Sequence, residues 1–258
     1  MRYNELTFQG RNAVLEAFRS GKTIDKLFIL DGCQDGPIKS IVREAKKTDA
    51  IINYVDKERL DRLAGTGHHQ GVVAIGAAYE YAEVDDILAS AKEKGEDPFI
   101  FILDEIEDPH NLGAIIRTAN LAGAHGVIIP KRRAVGLTAT VAKTSAGAIN
   151  YTPVAKVTNI SQTIEELKKQ GLWFVCADMG GETMYNLNLK GPIGLVIGNE
   201  GNGVSRLVKD KCDFIASIPM KGDIDSLNAS VAAGVLAYEI VRQRPVSYTH
   251  LRAHETEL

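Results

Sequence analysis

Residues 99–129 read FIFILDEIEDPHNLGAIIRTANLAGAHGVII, and this stretch decides the fold. It opens on a run of five apolar residues, passes through a helical pattern that begins near Pro109, and closes on a second apolar run. Neither run alternates with polar residues, so each predicts a strand that is buried on both faces. A strand, a helix and a strand in this order predict an α/β fold with a parallel sheet covered by helices.

The same alternation continues to the end of the helix that stops at Pro245. Further strand candidates are GVII (126–129), TPVAKV (152–157), LWFVCAD (172–178), IGLVIG (193–198) and DFIASIP (213–219). The helix candidates are Asn111 to Ala122, Thr138 to Ala146, Ile160 to Gln170, Val204 to Lys209 and Leu227 to Arg242. Ligands of such a sheet bind beyond the carboxyl ends of its strands, so the loops that follow the strands are expected to form the ligand-binding site.

Residues 1–80 predict a separate, small α/β domain. Its helix candidates are Gly10 to Phe18, Ile38 to Lys47 and Lys57 to Leu63, and its strand candidates are Lys26 to Leu30, Ile51 to Val55 and Gly71 to Gly76. Residues 81–97 hold six acidic and two basic residues, which predicts a solvated, partly helical linker before the main domain at 98–245. Residues 246–258 break the pattern and are interpreted as a disordered or non-native tail.

Composition excludes several classes of protein. The chain has 258 residues, of which 45% are hydrophobic and 24% charged, and no apolar run approaches the roughly 18 residues of a membrane helix. Secretion and membrane insertion are therefore not expected. The composition predicts a cytoplasmic protein. Three cysteines without a CxxC pair favour reduced core thiols over a disulfide framework or a metal site. The net charge of −3 excludes attraction of nucleic acid by the whole surface, so RNA contacts would need a local patch.

The first loop with functional features follows the strand at 99–103. Asn111 and Gly113 stand where the helix starts, and Arg117 follows on a segment that is otherwise small or apolar. A guanidinium in that setting either pairs with a buried carboxylate or faces a polyanionic ligand. The residues alone leave both interpretations open.

The second loop, GNEGNG at 198–203, holds three glycines and a carboxylate directly after an apolar strand. It matches neither the GxGxxG dinucleotide pattern nor a Walker phosphate loop, because no Gly-Lys-Ser/Thr follows. What it offers is bare backbone that a flat, uncharged group such as adenine can approach, with Gly198 leaving room for it. An ordinary glycine-rich turn is the alternative.

The third loop, SIPMKGDIDSLNAS at 217–230, leads from a strand into a helix rich in small residues. Ser226, Asn228 and Ser230 are ordinary N-cap residues, so a capped helix is the simplest interpretation. The same side chains and the free N–H groups of the helix also form a cradle for hydrogen bonding to a ligand.

Taken together, the three loops resemble the signature motifs of the SpoU-type RNA 2′-O-ribose methyltransferases, NxGxxxRTA, the strand followed by GNEGxG, and IPMxGxxxSLNxS. The segments FQGRNAVLEAF at 8–18 and HQGVVA at 69–74 are similar to the RNA-binding domain of the bacterial 23S rRNA guanosine-2′-O-methyltransferases. The resemblance spans residues 6 to 244 in order. It implies a C-terminal deep trefoil knot, which is a rare exception to unknotted chain topology.

The resemblance also implies S-adenosylmethionine as cofactor and assigns roles to residues. The expected cofactor-binding residues are Gly198, Asn199, Gly201, Ile218, Met220 and Leu227, and the expected catalytic residues are Asn111, Arg117, Glu200, Ser226 and Asn228. Arg117 is expected to bind the phosphate next to the target ribose, and Glu200 to orient Arg117 or the loop. Direct deprotonation by a guanidinium is disfavoured because its pKa exceeds about 12.

RNA and a second copy of the chain are the expected partners, with the active site completed across the dimer interface and no metal required. The expected RNA-binding residues are Arg11, Asn12, His69 and Gln70 of the first domain and the basic triplet Lys131, Arg132 and Arg133 of the second. A solvated run of charge is the alternative for the triplet. Asp223 and Asp225 add negative charge near the expected path of the RNA.

The expected reaction is 2′-O-methylation of a 23S rRNA guanosine in the peptidyl-transferase region. A tRNA guanosine is the alternative substrate, since the three catalytic motifs are shared among related enzymes. A non-catalytic RNA-binding homologue is disfavoured because the expected polar set is complete. A Rossmann-type dehydrogenase is disfavoured because GxGxxG is missing.

Overall fold

The structure is a computed structural model that describes residues 6–48, 50–65, 68–224 and 226–244. The predicted tail and Asp225 lie outside the described residues. The strands are β1 (Leu6–Gln9), β2 (Ile24–Leu30), β3 (Ile51–Val55), β4 (Val72–Gly76), β5 (Phe99–Leu103), β6 (Gly126–Pro130), β7 (Val154–Val157), β8 (Trp173–Thr183), β9 (Ile193–Ile197) and β10 (Phe214–Ser217). The α-helices are α1 (Arg11–Arg19), α2 (Gly36–Lys47), α3 (Lys57–Ala64), α4 (Val84–Lys94), α5 (Pro109–Leu121), α6 (Ala139–Thr144), α7 (Ile160–Lys169), α8 (Arg206–Lys209) and α9 (Ala229–Gln243).

Polar side chains fix the starts of several of these helices. The side chain of Asp35 accepts a hydrogen bond from the N–H of Ile38 at the start of α2 (3.1 Å), and Asn159 accepts one from Gln162 at the start of α7 (3.1 Å). Such bonds satisfy N–H groups that have no partner inside the helix. Helix α7 begins at its predicted residue, Ile160, whereas α2 begins two residues before the predicted Ile38.

The chain divides into two compact units. The first comprises residues up to Tyr81 together with 108–113 and 135–147, and the second comprises 82–107, 114–134 and everything after 147. Segment 135–147 joins the first unit through backbone bonds, such as the N–H of Ala78 to the carbonyl of Leu137 (2.8 Å). The hydroxyl of Tyr81 accepts from the N–H of Leu137 and donates to Asp25, both at 3.0 Å.

The first unit is built on a mixed four-stranded sheet with the order β1-β4-β2-β3. Strands β2 and β3 are parallel, and β4 runs antiparallel to β1 and β2. Val14, Leu27, Ile41 and Val72 lie in its fully buried core. The predicted small α/β domain is confirmed, and β1 is an addition that the sequence pattern did not reveal.

The second unit is a fully parallel six-stranded sheet with the order β10-β8-β9-β5-β6-β7. Consecutive residues of β5 from Phe99 to Leu103 are all fully buried, as expected of a strand whose two faces are both covered. Ile100 and Ile102 pack in one cluster with Ile164 of α7, and α9 packs against β8 and β9. The predicted parallel sheet flanked by helices is confirmed.

Strand β8 differs most from its prediction. It extends to Thr183 instead of ending at Asp178, because its second half pairs with β10 after a shift of register. At its first residue, the ring of Trp173 stacks on Phe214 of β10 with centroids 5.9 Å apart. Among the described residues, no helix is long and apolar enough to cross a membrane.

The acidic stretch at 81–97 forms α4, whose C-terminus is capped by Gly95 in the left-handed conformation. Its charged residues face solvent, but Ile87 and Ala91 are fully buried. Ile87 packs in the same cluster as Ile100 and Ile128 of the sheet. This segment is therefore part of the second unit and not only a solvated connector.

Ile87→Ala should lower the free energy of unfolding of the second unit by about 2–5 kcal/mol, because it removes a fully buried aliphatic side chain. The matched control is Glu93→Ala, on the exposed face of the same helix, which should change it by less than about 0.5 kcal/mol. Urea denaturation monitored through Trp173 measures both values. Equal effects of the two substitutions would show that α4 is a solvated linker.

Candidate active site

A cavity of about 410 Å³ opens in the second unit at the carboxyl ends of β9 and β10 and beside the middle of β8. Four segments form its wall, namely the middle of β8, the turn after β9, the loop after β10 and the first turns of α9. The lining residues are Ala177, Asp178, Met179, Ile197, Gly198, Asn199, Glu200, Gly201, Asn202, Gly203, Ala216, Ile218, Met220, Ser226, Leu227, Ala229 and Ala232. This is the position expected for a ligand of a parallel sheet.

The turn after β9 is closed by its own backbone. The N–H of Asn199 donates to the carbonyl of Gly203 (3.0 Å), and the N–H of Gly203 donates back (2.8 Å). The side chain of Asn199 accepts from the N–H of Gly201 (2.8 Å) and donates to the carbonyl of Glu105 (3.0 Å). The turn is thus fixed internally and to the end of β5.

Gly198 is required by this turn. A Cβ at this position would lie 2.1 Å from the carbonyl carbon of Gly203 and 2.2 Å from the nitrogen of Val204. Sequence reasoning assigned the glycine to making room for a ligand. The structure gives a different reason, since the first atoms that a side chain would meet belong to the backbone of the same turn.

Glu200 connects this turn to α9. Its carboxylate accepts hydrogen bonds from the side-chain amide of Asn228 and from the N–H of Ala229 (3.4 Å). Asn228 is the N-cap of α9, and its amide oxygen accepts from the N–H of Ser230 at 2.9 Å and of Val231 at 3.3 Å. A carboxylate at this end also interacts favourably with the helix dipole.

Asp178 brings a second carboxylate to the cavity. It forms an ion pair with Lys209 of α8 and accepts from the N–H of Gly180 (2.9 Å). The Lys209 ammonium, and after it the Gly180 N–H, lowers the pKa of Asp178 below its usual value. The group is therefore an anion and a pure acceptor at neutral pH.

The three cysteines are free thiols. Among residues 6–48, 50–65, 68–224 and 226–244, no group of three or more histidine, cysteine or acidic side chains is arranged to hold a metal ion.

Comparison with known proteins decides the family. The SpoU rRNA methylase family profile matches residues 98–238, and the profile for RNA 2′-O ribose methyltransferase substrate binding matches residues 9–82. The chain belongs to the SpoU rRNA methylase family.

The methyltransferase has close relatives among curated proteins. It is 53% identical over 236 residues to "Putative TrmH family tRNA/rRNA methyltransferase YacO" of Bacillus subtilis, which covers 91% of this chain and 94% of the relative. A protein of Staphylococcus haemolyticus with the same family name is 50% identical over 241 residues, covering 93% and 96%. The chain is therefore an RNA methyltransferase of the TrmH/SpoU family.

Solved structures show the same fold. The SpoU methyltransferase AviRb of Streptomyces viridochromogenes, in complex with AdoMet, aligns with a TM-score of 0.59 at 24% identity over 93% of this chain and 90% of that one. A TrmH/SpoU tRNA modifying enzyme of A. aeolicus aligns with a TM-score of 0.52 at 29% identity over 57% and 76%.

The cavity of the methyltransferase brings together most of the residues that the motifs indicated. All six expected cofactor-binding residues line it, and so do Glu200 and Ser226 of the expected catalytic set. Asn228 is joined to the cavity through Glu200. Sequence reasoning missed Asp178, because its place at the cavity depends on the register between β8 and β10 and not on a local sequence pattern.

The two expected catalytic residues of α5 do not line the cavity. Asn111 is buried and belongs to the first unit. Arg117 belongs to the second unit and is exposed, and it forms no ion pair with any residue that the structure describes. The buried ion pair that the sequence left open for Arg117 is therefore not formed within the described part of the chain.

Two of the expected RNA-binding residues of the first unit, Arg11 and Gln70, are bonded to each other. Arg11 forms an ion pair with Asp35 (2.6 Å), and its backbone N–H and Nε bond to Gln70 at 3.1 Å each. His69 is only 5% exposed, accepts from the N–H of Gly71 and contacts Asp61, both at 3.0 Å. These bonds fix the loop against the start of α1, where Asn12 is exposed.

The three residues of the basic triplet after β6 differ in exposure and in their ion-pair partners. Arg133 bonds to Glu105 at 2.9 Å, and this hydrogen bond raises the pKa of the guanidinium. Lys131 is half-buried, whereas Arg132 is exposed and has no ion-pair partner among the described residues. Asp223 is exposed as well. Arg132 is the member of the triplet best placed to meet a phosphate.

Gly198→Ala should destabilise the second unit and close the cavity, because its Cβ would collide with backbone that no side-chain rotation can move. Gly201→Ala is the control, since its Cβ would meet nothing closer than the side-chain oxygen of Asn199 at 3.4 Å. We expect a loss of about 2–4 kcal/mol for the first variant and less than about 1 kcal/mol for the second in thermal unfolding. Equal stability of the two variants would contradict the role given to Gly198.

Proposed function

We propose that this methyltransferase transfers a methyl group from S-adenosylmethionine to a ribose 2′-hydroxyl of RNA, namely a guanosine in the peptidyl-transferase region of 23S rRNA, in the cytoplasm. The observation that carries the proposal is the cavity lined by all six residues that the family motifs assign to the cofactor. The match of residues 9–82 to a ribose methyltransferase substrate-binding profile supports the ribose hydroxyl as acceptor.

The residues of the cavity fit this cofactor. The turn at 198–203 offers bare backbone, and Ile218 and Leu227 offer apolar walls for a flat base. About 410 Å³ lies within the range of small-molecule sites. AviRb, whose fold this chain shares, is solved with AdoMet. When bound, S-adenosylmethionine supplies a methyl carbon made electrophilic by its positive sulfur.

The remaining task of the protein is to present a poor nucleophile. A ribose hydroxyl is weakly nucleophilic at neutral pH, so its developing negative charge needs a nearby cation. Arg117 binds the phosphate beside the target ribose and activates the hydroxyl through it, since the pKa of a guanidinium, above about 12, makes it a poor base. Glu200 holds Asn228, the N-cap of α9, in place at the site, and Ser226 lines the same cavity.

A second copy of the chain completes the site in this proposal. Arg117 does not line the cavity of its own chain, and Leu121, one turn further on α5, is 65% exposed. Val231 and Tyr238, two turns apart on α9, are exposed as well. A Cβ at Gly234 of α9 would lie 4.0 Å from the methyl group of Thr118 of α5, so these exposed side chains belong to neighbouring helices. An apolar surface of this kind is typical of a homodimer interface.

The deep trefoil knot and the RNA contacts belong to the same proposal. The loop after β10 and the turn after β9 meet at one cavity, which supports a threaded C-terminal segment. Asn12, Gln70 and Arg132 are the exposed residues through which the enzyme would contact RNA. Recognition would depend on shape and local charge, because the overall charge is negative.

Arg117→Ala should reduce single-turnover methyl transfer by about 100-fold or more, because a cation at the developing charge is lost. Its affinity for S-adenosylhomocysteine should stay within about twofold of the wild type, since Arg117 is not part of the cavity. Arg206→Ala, at an exposed arginine of α8, is the matched control and should leave both quantities unchanged. Full transfer by Arg117→Ala with intact RNA binding would reject the role of Arg117.

Mapping of ribose methylation in rRNA and tRNA, from strains with and without the gene, tests the substrate. We expect one 23S rRNA guanosine to lose its 2′-O-methyl group in the deletion strain and to regain it with the wild-type chain but not with Arg117→Ala. Loss of a tRNA modification instead would replace rRNA by the tRNA alternative, which the names of the curated relatives also include. No change in either RNA would reject ribose methylation.

A further inference from the structure

Strand β8 carries an insertion at the cavity. Cys176 pairs with Ile215 of β10, and the next pair joins Glu182 to Ala216. Residues 177–181, ADMGG, therefore lie between two consecutive partners on β10. Such a bulge redirects the side chains of the strand that contains it.

The insertion is held close to β10. A Cβ at Gly181 would lie 2.3 Å from the carbonyl oxygen of Ile215, so only glycine permits this approach. Ala177, Asp178 and Met179 at the start of the insertion line the cavity. The bulge thus adds the ionised side chain of Asp178 to a wall that also contains the carboxylate of Glu200 and is otherwise mostly apolar or backbone.

Asp178 is fixed before any ligand arrives. Oδ1 accepts from the N–H of Gly180 (2.9 Å), and Oδ2 is paired with the ammonium of Lys209. A carboxylate has about four acceptor sites, so two partners leave capacity for further donors. Preorganisation of this kind reduces the entropy that is lost when a ligand binds.

We propose that Asp178 accepts hydrogen bonds from the ribose hydroxyls of the adenosyl group, and that it makes the cavity selective for an intact 2′,3′-diol. This inference rests on the proposed function, because it assigns a further residue to the same cofactor. Asp178 acts by binding and touches no reacting atom.

The charge around Asp178 favours hydroxyls over the other donor of the cofactor, its α-ammonium group. Lys209 already neutralises the carboxylate, and a second cation beside it would be repelled. A hydroxyl needs only a free lone pair on an acceptor. An acidic side chain that binds a ribose hydroxyl is also the solution used in dinucleotide-binding sheets, at the end of a different strand.

Isothermal titration with three ligands tests the assignment. The ligands are S-adenosylhomocysteine, 5′-methylthioadenosine, which keeps the diol but lacks the amino-acid part, and 2′,3′-dideoxy-5′-methylthioadenosine. Asp178→Asn should weaken the first two by a similar factor of about 10 to 100, as expected for hydrogen bonds to a charged group. It should leave the affinity for the dideoxy ligand unchanged.

Asp210→Asn is the matched control, because Asp210 is an exposed aspartate at the end of α8, next to Lys209, and does not line the cavity. It should bind all three ligands like the wild type. If Asp178→Asn does not fold, the wild-type protein alone tests the inference. It should bind the dideoxy ligand about 10-fold or more weakly than it binds 5′-methylthioadenosine. Equal affinity for these two ligands would overturn the inference.

The outcomes separate this inference from the proposed function. Failure of the wild type to bind S-adenosylhomocysteine would overturn both. Tight binding by the wild type with no loss in Asp178→Asn would overturn the role of Asp178 alone. A loss for S-adenosylhomocysteine without a loss for 5′-methylthioadenosine would place the carboxylate at the α-ammonium group and overturn the ribose assignment.

Discussion

The hydrogen bonds of Glu200 to the start of α9 are the contact on which the site depends. They join two segments that lie almost thirty positions apart, the turn after β9 and the helix that follows β10. The first N–H groups of a helix need partners from outside it, and here one is supplied by the carboxylate of Glu200. The glycines beside it let the turn close on itself, so the same short motif shapes both the wall and the anchor of the cavity.

The turn is also tied to the centre of the sheet. Asn199 donates to the carbonyl of Glu105, and the buried Asp104 accepts from the N–H of Ser205 at 2.7 Å. Both partners follow β5, the strand that pairs directly with β9. Motif residues that the sequence assigns to ligand binding, such as Asn199, therefore also stabilise the fold. A polar residue of the motif can be essential without touching the cofactor.

Sequence pattern predicted the elements well where burial is uniform. Strands such as 99–103 and 193–197 are apolar on both faces, and their limits follow from composition alone. The cavity residues of the second and third loops were also predictable, since glycine and capping residues mark the ends of parallel strands.

The structural role of Gly198 was not predictable, because the backbone atoms that exclude a side chain there come close to it only when the turn is folded. The same holds for Asp178, whose position depends on the register between β8 and a strand more than thirty residues further along. Isolated charges such as Arg11 and Arg133 looked available in the sequence, yet each has a carboxylate partner from a distant segment.

The stacking of Trp173 on Phe214 gives the molecule a built-in optical reporter. The chain holds a single tryptophan, on the first residue of β8, and its partner ring lies on the edge strand β10. Indole emission therefore originates wholly from the larger α/β unit, while the smaller unit contributes only tyrosine and phenylalanine. Separation of the edge strand from the sheet would change that emission before the rest of the sheet comes apart, so opening of the catalytic unit and its global melting can be distinguished without attaching a dye.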